Sequence, residues 1–230
     1  MKKIIALLTA SVASVSLTQA QELSVTTDLA WESAYVFRGE QFAQSYMAPG
    51  VDIAYGDFYA GIWAALPVSS NSAYDTEIDY YIGHGFALDN GIELDIGATY
   101  YTFPSIDTDF FSSDNSLEFY IGGSIEAPFS PSVYLFHDID LDTFTFEFAV
   151  GESFMLEDDL SFDVDVYGGH VAVSGSGNYL YYGVSAGLSY TLTPAAAVSA
   201  TLNYGGSEER LIFGNKRDKL WIGFSVTAGF

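Results

Sequence analysis

The chain ends with the stretch LWIGFSVTAGF, residues 220–230, in which apolar side chains stand at every second position. Successive side chains of an extended strand point to opposite faces, so a period of two predicts a strand with one apolar face. The intervening positions are mostly small or polar. The apolar face of this last strand comprises Leu220, Ile222, Phe224, Val226, Ala228 and Phe230.

The same period of two recurs along the chain. About twelve segments show it, and most are roughly 9 to 15 residues long, which suits tilted membrane strands better than the strands of soluble sheets. The segments begin near residues 22, 48, 57, 76, 91, 115, 131, 143, 159, 178, 195 and 218.

The connections between these segments alternate in length. Tight turns lie at 55–57, 88–91, 129–131, 156–159 and 193–194, and most of the connections between them are longer loops, at 39–47, 67–75, 104–114 and 205–217. An even number of strands with short turns on one side and longer loops on the other is typical of outer-membrane proteins. The sequence therefore predicts an all-β fold, a single antiparallel transmembrane β-barrel of about 12 strands, of outer-membrane type.

A soluble secreted β-sandwich would share the alternation, because each of its sheets also has one apolar face. Two features favour the barrel. Phe230 at the end of an amphipathic strand resembles the C-terminal signal of outer-membrane barrel proteins, which makes the barrel-assembly machinery an expected partner. Aromatic residues of the apolar face gather at the strand ends, as the two aromatic girdles of such barrels require. They are Tyr35, Phe37, Tyr100, Phe144 and Tyr204 on the long-loop side, and Tyr55, Phe58, Phe86, Phe154 and Phe230 on the short-turn side.

The first twenty residues have the form of a secretory signal peptide. Lys2 and Lys3 form a positive start, an apolar run follows, and Thr18-Gln19-Ala20 supplies small residues before a cleavage point. This pattern fits a signal peptide better than a buried N-terminal helix. We expect residues 1–20 to be removed, residues 21–230 to form the barrel, and the mature protein to reside in the bacterial outer membrane.

Acidic residues outnumber basic ones by 30 to 7, a formal net charge of −23. Because Lys2 and Lys3 belong to the signal peptide, the mature chain has 5 basic and 30 acidic residues, a charge of 5 − 30 = −25. This balance excludes nucleic acid as a partner, since phosphate binding needs a basic patch. The absence of cysteine excludes disulfides, thiolate metal sites, cysteine nucleophiles and a lipoprotein anchor.

Three motifs in the first half of the chain resemble the TorF-like porin family of envelope proteins (Gcw_chp). They are Tyr35-Val36-Phe37-Arg38-Gly39, then Pro49 with the run 58–63 (FYAGIW), then the run 77–83 (EIDYYIG). The similarity covers roughly residues 25–100. It implies an outer-membrane barrel with a porin role and does not identify the solute.

The face opposite the apolar one carries many carboxylates and is expected to line the lumen. A low-dielectric wall focuses such a field and concentrates cations, and carboxylate rings select cations in channels. The alternation also places Arg38 and Lys219 in the lumen near the outer mouth. We hypothesise that they face Glu77 and Asp79 across a constriction. The alternative is that they form ordinary salt bridges at the rim or bind anionic surface lipid. The residues expected to set selectivity are Arg38, Glu32, Glu77, Asp79, Glu118, Glu147, Asp163, Asp165 and Lys219.

These features predict passive diffusion of small polar or cationic solutes through an acidic lumen, with outer-membrane lipid around the barrel and no enzymatic activity, cofactor or metal. A non-conducting structural or surface-interaction barrel is the first alternative. An outer-membrane lipid-modifying hydrolase is the second. It requires a serine paired with His137 or His170, and the sequence shows no clear pair. Residues 138–142 lack the EF-hand glycine, so we expect no EF-hand there.

Overall fold

A computed structural model describes residues 23–68, 76–88, 91–175, 177–208 and 218–230. The predicted signal peptide, residues 1–20, lies outside these ranges. So do most of the loop at 67–75, and Arg210, Lys216 and Arg217 of the last loop.

The described residues form fourteen β-strands. Their bounds are β1 Leu23–Glu32, β2 Tyr35–Phe37, β3 Glu40–Ala43, β4 Tyr46–Tyr55, β5 Phe58–Pro67, β6 Glu77–Ala87, β7 Ile92–Thr102, β8 Ser116–Ile125, β9 Ser132–Asp138, β10 Thr143–Glu157, β11 Leu160–Val173, β12 Gly177–Thr193, β13 Ala196–Ser207 and β14 Asp218–Gly229. Within the described ranges, no helix is long and apolar enough to cross a membrane.

Twelve of these strands form one closed antiparallel barrel. Each barrel strand pairs with the barrel strands before and after it in the chain, and β14 pairs with β1 to close the ring. The backbones of Val25 and Phe230 complete this seam, with the Phe230 N–H donating at 2.9 Å and the Val25 N–H donating at 3.3 Å. The predicted fold is confirmed, and each barrel strand begins within two residues of its predicted start.

The alternation in sequence becomes an alternation in exposure. Along β14, Leu220 is 63% exposed, Trp221 is 4% exposed and Ile222 is 41% exposed. The apolar members therefore face outward, and the other set faces the enclosed lumen. Since a closed ring has no free strand edge, every barrel strand has a pairing partner on both sides.

Tyrosines of the inner face lie over glycines of the neighbouring strand. In each case the two residues are direct cross-strand partners, and a Cβ on the glycine would collide with the tyrosine ring. Each ring is thereby held close to the wall. The pairs are Tyr59–Gly83, Tyr81–Gly61, Tyr120–Gly97, Tyr134–Gly122, Tyr167–Gly183 and Tyr181–Gly169.

The acidic run at 138–142 forms the turn between β9 and β10. The Oδ1 atom of Asp138 accepts hydrogen bonds from the N–H groups of Asp140 at 3.1 Å and Leu141 at 2.8 Å. Asp138 therefore closes a tight turn with its side chain, a local role that aspartate commonly takes. Among the described residues, no group of three or more acidic, histidine or cysteine side chains is arranged to hold a metal ion.

Candidate functional site

The chain leaves the barrel wall between β1 and β4 and folds into the lumen. The strand predicted to run through Phe37 ends at Glu32, and residues 33–45 form a separate two-stranded sheet of β2 and β3. We call residues 33–45 the plug hairpin. We call the end of the barrel that carries residues 33–45 and 103–115 the long-loop end, and the opposite end the short-turn end.

Arg38 and Gly39 form the tip of the plug hairpin. Both have positive φ, 47° and 79°, as a two-residue turn of type I′ requires. A Cβ on Gly39 would lie 2.5 Å from the carbonyl oxygen of Gly206 and 2.7 Å from the Cβ of Tyr181. Glycine is therefore needed both for the turn and for the contact with β12 and β13. Arginine is unusual in this left-handed conformation, which persists only where the surroundings hold it.

The Arg38 side chain is held by the far wall of the barrel. Its two terminal nitrogens donate to the two carboxylate oxygens of Glu118 on β8, at 2.7 and 2.9 Å. The guanidinium lies 4.6 Å from the ring centroid of Phe37 and 4.7 Å from that of Phe136. The Tyr101 hydroxyl also donates to Glu118, at 3.0 Å. Arg38 therefore combines a bidentate ion pair with stacking on aromatic rings, two of the strongest interactions that arginine makes.

Burial and the neighbouring charge shift the pKa of Arg38 in opposite directions. Burial alone would lower the pKa of its guanidinium, but the carboxylate of Glu118 more than offsets this, and the pKa is raised above the ordinary value. Arg38 is therefore a permanent cation inside the lumen.

The flanks of the plug hairpin contact opposite parts of the wall. On one side, the Tyr35 hydroxyl donates to Glu77 on β6 at 3.2 Å. On the other, Ser207 on β13 donates to Glu40 at 2.7 Å. Because β6 and β13 are not neighbours in the barrel order, the hairpin spans the lumen.

Aromatic packing anchors the hairpin to β4, β5 and β7. The ring of Tyr35 lies 4.9 Å from that of Tyr46 and 5.7 Å from that of Trp63. Phe37 packs against Tyr101 at 6.2 Å. The cavity lined by Tyr35, Phe42, Ala43, Ala65, Pro67 and Glu77 has a volume of about 10 Å³. This is about the space of one water molecule, so the hairpin is tightly packed on this side.

The other predicted carboxylates of the long-loop end also face the lumen. Glu32 accepts a hydrogen bond from the Trp221 indole at 2.8 Å, and Glu147 accepts one from the Tyr181 hydroxyl at 2.6 Å. Asp79 is buried beside Glu77 on β6. Lys219 lies on the inner-facing register of β14 and is half-buried.

The carboxylates of the short-turn end lie in a more open part of the lumen and are only half-buried. Asp163 accepts hydrogen bonds from Ser161 and from Ser189, the latter at 2.9 Å. Asp165 lies over its cross-strand partner Gly151. The hydrogen-bond donors of Asp163 therefore come from the wall itself.

Two expectations about the first loop are wrong. Arg38 pairs with Glu118, and not with Glu77 or Asp79, because the chain leaves the wall after Glu32 and carries the guanidinium across to β8. Tyr35 and Phe37 lie inside the lumen and do not belong to the outer aromatic girdle.

The residues that hold Arg38 were only partly foreseen. Glu118 was expected in the lumen, but Phe136 was not singled out. Arg38-Gly39 between two apolar runs is the sequence signal that could have indicated a two-residue hairpin turn.

Two histidines lie in aromatic contacts on the outer side of the wall, and one of them, His137, was considered for a hydrolase. The His137 ring stacks on Phe144, with centroids 3.9 Å apart. His84 lies between Phe58 at 4.1 Å and Phe86 at 4.3 Å. In the part of the chain that the structure describes, no serine is hydrogen-bonded to His137 or His170.

Two solved structures share this architecture. The COG4313 outer membrane channel from Pseudomonas putida F1 superposes with a TM-score of 0.55 at 7% identity, covering 90% of this chain and 95% of that one. The NanC porin superposes with a TM-score of 0.54 at 10% identity, covering 90% of this chain and 98% of that one. At these identities the likeness shows the fold, a barrel of the kind used by outer-membrane channels. No curated protein matches the chain.

A protein family can also be identified from the sequence alone. The family model described as a bacterial protein of unknown function (Gcw_chp) matches residues 17–132, which is half of the chain. The matched region contains β1 to β8, the plug hairpin and both partners of the Arg38–Glu118 pair. The chain therefore belongs to the Gcw_chp family.

Proposed function

We propose that this protein is an outer-membrane channel through which small polar or cationic solutes diffuse passively. The observation that carries the proposal is a closed barrel with carboxylates on its inner face from one end to the other. In the described residues, only Arg38 and Lys219 bring basic side chains to that face. Carboxylates in a low-dielectric enclosure attract cations and repel anions.

The proposed membrane location rests on the outer face of the barrel. Its side chains are mostly apolar, and exposed aromatic residues stand near both ends of the strands. At the long-loop end they include Tyr204 and Phe144, and at the short-turn end Tyr55, Phe58 and Phe154. Aromatic belts around an apolar band suit the two interfaces of a lipid bilayer. Phe230, exposed at the end of the closing strand, is the proposed contact for the assembly machinery.

The proposal is tested by current recordings of the mature barrel in a planar bilayer under a KCl gradient. We expect discrete current steps with a reversal potential that favours cations. The double variant Asp163→Asn/Asp165→Asn should move that potential toward zero, because it removes two charges from the open end of the lumen. Asp114→Asn, in the exposed loop 103–115, is the matched control and should leave the potential unchanged. Anion selectivity of the wild type would contradict the acidic-lumen proposal.

A second candidate function is a closed barrel that acts as a structural or surface-interaction protein. The observation that favours it is the tight packing of the plug hairpin, which leaves a cavity of only about 10 Å³ beside Tyr35 and Glu77.

A single variant separates the two candidates. Glu32 and Tyr46 are paired residues of adjacent strands, so an Asn-Gly turn can join them directly in place of residues 33–45. We call this variant the hairpin-free barrel. If the wild type is silent and the hairpin-free barrel conducts, the plug closes the pore and the second candidate is favoured. If both conduct, with a larger conductance for the variant, the hairpin is a constriction in an open channel.

A further inference from the structure

Glu77, Asp79 and Glu118 are buried carboxylates of the wall, and they do not all have hydrogen-bond donors. Glu118 binds Arg38 through both oxygens, and Glu77 accepts a hydrogen bond from Tyr35. Asp79 is only 6% exposed, and its buried Oδ1 atom has no hydrogen-bond donor among the described residues. One carboxylate in this cluster therefore lacks the partner that burial normally demands.

Aromatic rings surround Asp79. Its cross-strand partners are Trp63 on β5 and Tyr101 on β7, and direct partners on one face of a sheet lie side by side. The plug hairpin places Tyr35 against Trp63 and Phe37 against Tyr101. Two rings of the wall thus flank the carboxylate, and two rings of the hairpin cover them.

The charges of the cluster do not balance. Asp79 lies within electrostatic reach of both Glu77 and Glu118. Among the described residues, one cation, Arg38, lies beside these three carboxylates, and both of its carboxylate hydrogen bonds go to Glu118. An ionised carboxylate withdrawn from water without a donor or a counter-ion is strongly disfavoured.

We propose that Asp79 is the centre of a binding site for a compact monovalent cation, either an alkali ion or the ammonium group of a small solute, covered by the plug hairpin. A carboxylate supplies the charge, and neighbouring aromatic rings favour a cation over an anion. The proposal does not require the barrel to conduct.

Two observations select a compact monovalent ion. Within the described ranges, no three potential metal-ligating side chains converge, whereas Ca²⁺ takes about six to eight oxygen ligands. Hairpin rings pack against Trp63 and Tyr101 beside Asp79, and the cavity lined by the neighbouring Glu77 is only about 10 Å³, so we expect tetraethylammonium to be too bulky for the site.

The test is urea unfolding of the mature barrel in detergent at constant ionic strength, with tetraethylammonium chloride replaced stepwise by NaCl, KCl or methylammonium chloride. A ligand that binds only the folded state raises the unfolding midpoint with its concentration. We expect a saturable rise with at least one compact cation. The alkali salts and methylammonium distinguish a bare ion from an ammonium group.

Two variants give the decisive comparison. Asp79→Asn should abolish the cation-dependent rise, whereas the matched control Asp163→Asn, at the short-turn end, should retain it. The hairpin-free barrel keeps Asp79 but lacks the cover, and should also lose the rise. Absence of any rise in the wild type, or its persistence in Asp79→Asn or in the hairpin-free barrel, would overturn the proposal. Because binding is measured at equilibrium, a barrel that binds the ion but passes no current would contradict the channel function alone.

Discussion

The two ends of the lumen are both lined by carboxylates, but the groups that bind those carboxylates differ. At the short-turn end, Asp163 is half-buried and is bound by serines of the wall. At the long-loop end, Glu118 is 2% exposed and is bound by an arginine that arrives on a separate segment. The same alternation of residues in the strands thus produces an open polar wall at one end and a packed polar core at the other.

This difference shows that strand sequence alone does not decide how buried a lumen residue becomes. The plug hairpin converts its half of the lumen into an interior with buried charges, tyrosine hydroxyls and stacked rings. Charges in such an interior must be paired, and the loss of one partner is far more costly than at an exposed site. Four predictions test the contrast between the two ends.

The largest effect is expected for Glu118→Gln. This change leaves the Arg38 guanidinium buried without its bidentate partner, and breaking a buried ion pair from one side costs about 3–5 kcal/mol. The free energy of unfolding in urea should fall by that amount in detergent. The control Arg38→Met/Glu118→Leu, which removes both charges, should recover much of the loss. Equal destabilisation of the single and double variants would show that the pairing of charge is not what matters at this end.

The next effect is expected for Gly39→Ala, read against Gly175→Ala. Both glycines have positive φ, 79° and 72°, so both substitutions strain the backbone, by about 1 kcal/mol or slightly more. Only Gly39 also meets the wall, since a Cβ at Gly175 has no atom within 4 Å. Gly39→Ala should therefore be the more destabilising of the two in the same unfolding experiment. Equal losses of unfolding free energy would mean that the close contact of Gly39 with Gly206 and Tyr181 does not require a glycine.

A smaller difference is expected between Tyr35→Phe and Tyr81→Phe. Each substitution removes one hydroxyl that donates to a carboxylate, Glu77 for Tyr35 and Asp52 for Tyr81. Glu77 is buried under the hairpin, whereas Asp52 is half-buried at the short-turn end and can recruit water. We expect Tyr35→Phe to cost about 1.5–3 kcal/mol and Tyr81→Phe clearly less. The order of the two unfolding free energies is the measurement, and its reversal would contradict the contrast.

The smallest effect is expected for Asp163→Asn. Its carboxylate is half-buried and bound by two serines that can also bind an amide, so the unfolding free energy should change by no more than about 0.5 kcal/mol. A loss as large as that of Glu118→Gln would show that the short-turn end is also a packed interior.

The barrel strands could be predicted from the sequence because each one shows its period of two within its own segment. An apolar residue at every second position, as in Leu220, Ile222 and Phe224, predicts a strand with one apolar face. Inside a membrane, strands must satisfy their backbone hydrogen bonds among themselves, which requires a closed barrel. The carboxylates Glu32, Glu77, Asp79 and Glu118 were placed on the inner face by the same rule, and they face the lumen in the structure.

The plug hairpin escaped prediction because its alternation continues that of β1. Tyr35 and Phe37 keep the same phase as Leu29 and Trp31, so the pattern does not show that the strand ends at Glu32. A period of two describes a strand equally well in the wall or in the lumen. Where such a strand lies depends on its partners, and those of β2 and β3 are each other.

The sequence by itself determined the class of fold, the number of barrel strands and which side chains face inward, because these follow from local periodicity and turn composition. Only the tertiary structure decided that Arg38 binds Glu118 and that the buried Oδ1 of Asp79 has no donor among the described residues. These contacts join positions far apart in the chain, Arg38 on a turn and Glu118 in the middle of the sequence. They form because closing the ring and folding the hairpin inward bring β8 and β9 around one guanidinium, a geometry that no local pattern contains.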